Sequence, residues 1–198
     1  MVGSKRFVVV IGADNILHCG LFHLTEGECI KRNLVPVYSA NDHNFWIRIP
    51  EQHSGPFSLG ILCLGTDDFF PTWFSTFLTL LRKINGNILI FTDSHELLDR
   101  RKKKLLARVC ELEHVLDVSM PVSYISFLVE YYMSRDCSVR GNCKMSMREL
   151  TVIDGFLNGV DAVCHSSWMG ISTNTLYQHR KNCANKLGVR NLKELLRL

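Results

Sequence analysis

The stretch Ser172–Gly188, STNTLYQHRKNCANKLG, predicts an amphipathic helix whose polar face carries no acid. At roughly 100° per residue, Leu176, Cys183 and Leu187 fall on one side and predict a buried stripe. The opposite side carries amides, a phenol and an ammonium group: Asn174, Tyr177, Gln178, Lys181 and Asn185. Amide side chains pair with adenine, lysine donates to guanine, and tyrosine contacts a thymine methyl or a phosphate. Solvent-exposed helix faces usually mix Glu with Lys, so this composition favours a face that reads the major groove of DNA.

Capping signals place this helix in a helix-turn-helix unit. Gly170 permits a sharp turn just before the helix, Ser172 is its predicted N-cap, and Gly188 ends it. Ser146 and Glu149 form a capping box at the start of an earlier helix. Together with similar signals downstream, this capping box predicts three helices besides 172–188, at residues 146–159, 161–169 and 191–198. Residues 145–198 are therefore expected to form a small all-α domain of four helices.

Residues 145–191 resemble, without a gap, the helix-turn-helix of LuxR/FixJ-type (NarL-type) bacterial transcription regulators. The family pattern L-[ST]-x-R-E…V-[LI]…G…[LI]-S-x-x-T-[VL]-x-x-H…K-L-G-V is present as Met145-Ser146-Met147-Arg148-Glu149, Val152-Ile153, Gly159, Ile171-Ser172, Thr175-Leu176, His179 and Lys186-Leu187-Gly188-Val189. The resemblance implies that double-stranded DNA is the partner and that residues 173–187 form the recognition helix. It implies a DNA-binding set of Asn174, Thr175, Tyr177, Gln178, His179, Arg180 and Lys181.

The resemblance also implies distinct roles within this set. Tyr177, Gln178 and Lys181 occupy base-contacting positions, Thr175 and His179 fix the helix on the backbone, and Arg180 is a phosphate partner.

The second helix departs from the family pattern. The family usually has S-N-K-E-I-A where this chain has DAVCHS at residues 161–166. Val163 therefore replaces a lysine that contacts phosphate, and His165 replaces a core isoleucine. Because phosphate contacts supply most non-specific affinity, we expect weaker binding to the DNA backbone than in the family.

The first 134 residues alternate short apolar runs with helix-length segments. Strands are predicted at residues 5–12, 34–40, 59–64, 87–92 and 114–119, and helices at 15–26, 71–84, 95–112 and 123–133. Continuous apolar strands separated by helices are typical of a parallel sheet covered on both faces. The predicted fold class is α/β, a doubly wound, flavodoxin-like (receiver-like) parallel sheet over residues 1–134, followed by a linker at 135–144.

This order of elements resembles the phosphoryl-accepting receiver of two-component response regulators. The acidic pair of a receiver falls here on Gly12-Ala13, with Asp14 alongside, and the acceptor aspartate falls on Gly65, just before Asp67 and Asp68. The Thr/Ser position falls on Thr92, and the lysine position falls on Met120, before Pro121. Only Thr92 matches what the resemblance requires, because the acidic pair, the acceptor aspartate and the lysine are missing. We expect a degenerate receiver with no phosphoacceptor, no metal and no cofactor. A rebuilt acidic site of Asp14 with Asp67 or Asp68 is the less favoured alternative.

Charge is unevenly distributed along the chain. Residues 140–198 carry nine Lys/Arg and four Asp/Glu, whereas the remainder carries fourteen and fifteen. The basic C-terminal region is suited to binding a polyanion. The densest basic run, Arg100–Lys104, lies in the predicted sheet domain, residues 1–134, which we call the front domain. We interpret this run as the solvated face of a helix in preference to a phosphate-binding patch.

Eight cysteines without an export signal or regular spacing predict reduced core thiols in a cytoplasmic protein. Cys137 and Cys143 lack the partners of a zinc site, and redox sensing through this pair is an alternative role. No nucleotide-binding or nucleophile motif is present, so no catalytic residue and no enzyme is predicted. No apolar run approaches the roughly 18 residues of a membrane span, so no membrane partner is expected.

The sequence therefore predicts a phosphorylation-independent bacterial transcription regulator, cytoplasmic and nucleoid-associated, that acts as a homodimer or as a heterodimer with another response regulator. The alternative is a non-enzymatic partner that heterodimerises with another response regulator and keeps it off DNA. Receivers often pair through their fourth and fifth strand–helix units, here Thr92–Met133. Candidates for that interface are Phe127, Leu128, Tyr131 and Tyr132, although a place in the core is the favoured interpretation for aromatic residues at helical spacing.

Overall fold

The computed structural model describes residues 6–40, 57–83, 87–94, 96–110, 115–135 and 143–198. The front part contains the strands β1 (Phe7–Gly12), β2 (Val35–Ala40), β3 (Phe57–Leu64), β4 (Asn87–Thr92) and β5 (Val115–Asp117). Its helices are α1 (Ile16–Lys31), α2 (Phe70–Lys83), α3 (Arg100–Val109) and α4 (Val122–Ser134). The C-terminal part contains α5 (Met147–Leu157), α6 (Ala162–Trp168), α7 (Thr173–Leu187) and a 3₁₀ helix (Leu192–Arg197). None of the helices in the described ranges is long and apolar enough to cross a membrane.

The five strands form one parallel sheet in the order β2-β1-β3-β4-β5. The chain winds from β1 outward to both edges, so the sheet is doubly wound as predicted. Side chains alternate between the two faces, and both faces are covered. Val9 and Ile11 pack with α2 and α3, whereas Val8 and Val10 pack with α1 and α4. Burial on both faces explains why the strands are continuous apolar runs.

The largest differences from the sequence predictions are the end of α1, the start of α3 and the type of the last helix. Helix α1 runs to Lys31, past the predicted Glu26, because its buried side continues through Glu28 and Cys29. Helix α3 begins only at Arg100, since the Asp99 side chain caps it by accepting the Lys102 N–H at 2.8 Å. The last predicted helix is a 3₁₀ helix.

The predicted linker, 135–144, is described only at its two ends. Residues 136–142, which include Cys137, lie outside the described residues, so the domain boundary remains a prediction. At the far end of the linker, Cys143 forms an isolated antiparallel bridge with Cys110, the residue that follows α3.

The C-terminal helices follow the predicted caps closely. The capping box of Ser146 and Glu149 is formed in both directions, with the Ser146 N–H donating to Glu149 Oε2 at 2.9 Å. Gly170 and Gly188 have φ of 64° and 68°, which is the left-handed conformation that glycine tolerates. These turns set α6 and α7 as the two helices of a helix-turn-helix.

The C-terminal domain packs against α2 of the front domain. Buried Asp154 on α5 accepts hydrogen bonds from Ser75 Oγ at 2.5 Å and from Asn158 Nδ2 at 3.0 Å. Arg82, at the end of α2, pairs with the other Asp154 oxygen. The apolar residues of the two domains form one continuous cluster that includes Phe74 and Ile153. The front domain therefore packs against helix α5 of the C-terminal domain.

The basic run at the start of α3 has mixed surroundings. Arg100, Lys103 and Lys104 are exposed, as a solvated helix face requires. Lys102 instead lies over the Phe70 ring, 5.1 Å from its centroid, and Arg101 pairs with Glu194 at 3.3 Å. Further along α3, Arg108 Nη1 donates to the Lys186 carbonyl at 3.2 Å, so this helix also contacts the C-terminal domain.

Candidate nucleic-acid interface

The polar face of α7 is open to solvent while the two domains are docked. Asn174, Tyr177, Gln178 and Lys181 are all exposed, and Tyr177 retains 54% of its accessible surface. Leu176, Cys183 and Leu187 are buried on the opposite side, as their spacing predicted. Among the described residues, Arg108 of the front domain contacts the C-terminal end of α7 at the Lys186 carbonyl, whereas the face that carries the candidate base-reading residues is exposed.

The start of α7 is held by its cap. Ser172 Oγ accepts the Thr175 N–H at 3.1 Å and lies 2.8 Å from the Thr175 hydroxyl. Thr175 itself is exposed and His179 is half-buried. One turn further, Gln178 Nε2 donates to Asn182 Oδ1 at 3.2 Å, which holds the amide along the helix surface.

Arg180 differs from the other candidate residues. Its guanidinium lies 5.2 Å from the Phe156 ring centroid and 5.7 Å from the Tyr177 ring centroid. Its Nε and Nη2 are enclosed, and no described residue accepts a hydrogen bond from them. Arg180 therefore supports Tyr177 by a cation–π contact as well as adding positive charge.

A basic cavity lies beside the recognition face. It has a volume of about 430 Å³ and extends between α7 and the 3₁₀ helix. Its lining includes Lys181, Arg190 and Lys193 together with Tyr177. Positive side chains thus continue from the polar face of α7 around its flank, which is the arrangement that a polyanionic backbone requires.

Helix α6 shows the consequences of its unusual sequence. Val163, at the family's lysine position, is exposed and apolar. His165 is buried and packs against α5 at Gly155, where a Cβ atom would clash with its ring. Burial, with a smaller contribution from Arg180, lowers the pKa of His165, so the neutral ring is favoured. A buried histidine therefore fills the core position at which the family pattern has isoleucine.

Lys186 joins α7 to the start of α5. Its Nζ lies 2.7 Å from Glu149 Oε1 and 2.9 Å from Oε2. Burial by itself would raise the pKa of Glu149, but the hydrogen bonds from Lys186 and Ser146 outweigh it and hold the pKa below its usual value. The capping box and the recognition helix therefore share one carboxylate.

The receiver-like site at the carboxyl edge of the sheet is filled by a histidine. His18, with no exposed surface, has its Nε2 2.8 Å from Asp93 Oδ1 and its Nδ1 3.3 Å from the Ala13 carbonyl. Gly65, at the acceptor position, donates its N–H to Asp68 Oδ2 at 2.7 Å. A Cβ at Gly65 would lie 3.1 Å from Asp93 and 3.6 Å from His18.

The acidic residues near this edge lie in different surroundings. Within the described residues, no group of three or more His, Cys, Asp or Glu side chains is placed to hold a metal ion. Asp14 and Asp67 are exposed, and Asp68 is engaged with Gly65. Thr92 is buried and donates to the Leu116 carbonyl at 3.4 Å, so the one matching receiver residue points into the fold.

Sequence reasoning missed the pairing of His18 with Asp93. The two residues are far apart in the chain and follow different strands, so no local spacing connects them. A signal was present in Gly12 and Gly65, two small residues at the ends of β1 and β3. A Cβ at Gly12 would lie 2.7 Å from His18 Nδ1, so the glycine makes room for the ring.

The candidate pairing face on α4 is only partly as expected. Phe127 and Tyr131 are exposed, and the rings of Tyr124, Phe127 and Tyr131 stack in a row at 6.4 and 6.3 Å. Leu128 and Tyr132 are buried in the core against the sheet, which was the favoured interpretation of this helix, and they are not available to an interface. One side of α4 faces the core and carries Leu128 and Tyr132, whereas the other side faces solvent and carries Phe127 and Tyr131.

Known proteins resemble this chain in two ways, through one family model and through several solved structures. Residues 144–198 match the family model described as bacterial regulatory proteins, luxR family. RcsB from Salmonella enterica serovar Typhimurium, solved bound to promoter rprA in the presence of phosphomimetic BeF3⁻, is 17% identical with a TM-score of 0.43, and the match covers 98% of each chain. Full-length FixJ from B. japonicum is 17% identical with a TM-score of 0.42, and the match covers 98% of this chain and 95% of that one.

No match is found among curated protein sequences. The family model covers every element from the capping box of α5 to the 3₁₀ helix. Residues 144–198 therefore form a helix-turn-helix domain of the type that the luxR family model describes.

Proposed function

We propose that the chain is a bacterial transcription regulator that reads the major groove of double-stranded DNA through α7. The observation that carries the proposal is the acid-free polar face of α7, which stays exposed while the front domain is docked on α5. Tyr177, Gln178 and Lys181 share this face and supply the groups that contact base edges. Thr175, His179 and Arg180 lie at its flanks and contact the backbone, and Asn174 lies at its start. A regulator of this kind acts on the chromosome, in the cytoplasm and in association with the nucleoid.

Substitutions on α7 test DNA reading. We expect Gln178→Ala and Lys181→Ala each to lower affinity for the specific site by about 1–3 kcal/mol, because each removes a contact with a base edge. Fragments selected from the genome by the wild-type protein provide the site, and fluorescence anisotropy at fixed salt measures the affinity. Lys31→Ala, on the opposite side of the sheet from the C-terminal domain, is the matched loss of charge and should leave affinity unchanged.

The proposal would be wrong if the wild-type protein selected no fragments, or if the α7 variants bound them as tightly as the wild-type protein does. Binding by another response regulator that weakens when this chain is added would then favour the alternative, a partner that keeps other regulators off DNA.

We further propose that the front domain works without phosphorylation. Gly65 offers no carboxylate at the acceptor position, and the space above it borders the His18–Asp93 pair. A phosphoryl group requires Mg²⁺ and a lysine to neutralise its charge, whereas Met120 stands at the lysine position. The front domain then serves to assemble regulators through the stacked aromatic row on α4, with a second copy of itself or with another response regulator.

Oligomeric state tests both statements about the front domain. We expect acetyl phosphate to change neither the mass measured by light scattering nor the affinity for DNA. We expect Phe127→Ser to dissociate the assembled form, because it removes the exposed ring at the centre of the row, while Glu96→Ser on a remote loop does not. An aspartyl phosphate at Asp67, Asp68 or Asp93, detected by mass spectrometry with a change in mass or affinity, would contradict phosphorylation independence.

A further inference from the structure

Two cysteines, one from the front domain and one from the predicted linker, face each other where the chain enters the C-terminal domain. Cys110 follows α3, and Cys143 lies at the end of the predicted linker; the two form an antiparallel bridge. Both are thiols in this structure, Cys110 fully buried and Cys143 half-buried. Both belong to the apolar cluster shared by the two domains. The sequence had suggested Cys137 as the neighbour of Cys143, whereas the fold brings Cys110 to it.

The hydrogen bonds define the geometry of this pair. The Lys144 N–H donates to the Val109 carbonyl at 2.8 Å, and the Cys110 N–H donates to the Leu106 carbonyl at 3.0 Å. The bond from Lys144, the residue after Cys143, to Val109, the residue before Cys110, is the pattern of the non-hydrogen-bonded type of antiparallel pair. Cα atoms in such pairs are about 4.5 Å apart. That spacing falls within the range of roughly 4.4–6.8 Å that disulfides require.

We propose that Cys110 and Cys143 form a reversible intramolecular disulfide when the protein meets hydrogen peroxide. The Cys143 thiolate, the more accessible of the two, attacks one peroxide oxygen. The O–O bond breaks, the other oxygen leaves as water after protonation, and Cys143 becomes a sulfenic acid. The Cys110 thiolate then attacks that sulfur, the S–S bond forms, and the S–O bond breaks with release of a second water. Peroxide is reduced, two thiols are oxidised, and a thiol reductant restores them.

The disulfide would fix the entry to the recognition domain. Cys143 is two residues before buried Met145 and three before Ser146, the N-cap of α5. On the other side, Lys144 Nζ donates to the Ala107 carbonyl at 3.0 Å, which keeps the same junction against α3. A covalent bond here closes a loop that contains β5 and α4, so it removes freedom from the unfolded chain and raises the thermal midpoint. It also locks the docked arrangement of the two domains.

Mass spectrometry of the full-length protein tests the proposal. After treatment with stoichiometric peroxide and alkylation of remaining thiols, proteolysis without reductant should yield a peptide linking Cys110 to Cys143. The intact protein should lose the mass of two hydrogens and show a higher thermal midpoint, and both changes should reverse with dithiothreitol. Cys143→Ser should abolish the linked peptide, whereas Cys164→Ser, at an exposed cysteine on α6, should retain it.

A second variant covers the buried partner. In Cys110→Ala, a sulfenic acid at Cys143 should persist long enough to be trapped by dimedone, because the resolving thiol is gone. Linkage of Cys143 to Cys137, dimers joined through Cys164, or oxidation of Cys143 without any linked peptide would each overturn the proposal. None of these readouts depends on DNA, so the result is independent of the proposed function.

Discussion

Single residues in this protein take positions that their neighbours make available. His165 lies in the core of the helix-turn-helix because Gly155 on α5 leaves the space of a side chain open. His18 fills the receiver-like site because Gly12 and Gly65 have no Cβ to exclude it. In both places the missing side chain of a glycine leaves the space that a histidine ring from another element fills.

Gly155→Ala tests this matching. The new methyl group would overlap the His165 ring, and we expect a loss of about 1–3 kcal/mol in the free energy of unfolding from overpacking. The loss should appear even though alanine is the better helix former. Chemical denaturation measures it. The double variant Gly155→Ala, His165→Ala should be less destabilised than the sum of the single variants, and strict additivity would show that the two residues do not compete for space.

At the scale of elements, α7 is held by its two ends. Its N-cap, Ser172, fixes the start, and Lys186 fixes the end by pairing with Glu149 of the α5 capping box. The polar face between these ends is exposed, so core packing does not fix its composition. The stability of the helix thus depends on a carboxylate that belongs to another helix.

The pH dependence of stability should reveal the Glu149 contact. The pKa of Glu149 is lower in the folded state than in the unfolded chain, so the folded state binds fewer protons in the range between the two values. The stabilisation is complete above the unfolded value of about 4.3 and is lost as pH falls through the folded value. We expect Glu149→Gln to flatten the acid limb of a plot of unfolding free energy against pH. Glu96→Gln, at an exposed glutamate, should leave that limb as it is; an unchanged limb in Glu149→Gln would contradict the assignment.

At the scale of the whole molecule, the two domains share one apolar cluster and one buried polar network. Asp154 on α5 is the centre of that network, with Ser75 and Arg82 of α2 as its partners from the other domain. The front domain packs against α5 and leaves the polar face of α7 exposed. Docked domains are therefore compatible with DNA binding.

Asp154→Ala tests how strongly the domains are coupled. The change leaves the Arg82 guanidinium and the Ser75 hydroxyl without their shared acceptor, so we expect a loss of about 2–3 kcal/mol. We also expect unfolding to split into two transitions. Tryptophan fluorescence in a Trp168→Phe background follows the front domain, where Trp73 is buried, and amide exchange follows the helices of the C-terminal domain. Arg82→Ala combined with Asp154→Ala should cost less than the two single changes together. A single transition with no loss of stability would show that the apolar cluster alone joins the domains.

The sequence determined the elements and most of the candidate interface. Apolar runs fix the strands because both faces of a parallel sheet are buried, and cap residues fix the C-terminal helices because they satisfy the backbone N–H groups of the first turn. The acid-free face of α7 follows from helical spacing alone. Such patterns are local, so they can be found without knowing the tertiary structure.

Only the tertiary structure decided which distant residues meet. It placed His18 beside Asp93, Cys110 opposite Cys143 and Asp154 against α2, and it buried Leu128 and Tyr132 while leaving Phe127 exposed. These contacts join residues from separate elements, and their geometry depends on how sheets and helices pack. Packing is a property of the whole chain, whereas sequence periodicity reports only what each element requires of its own surroundings.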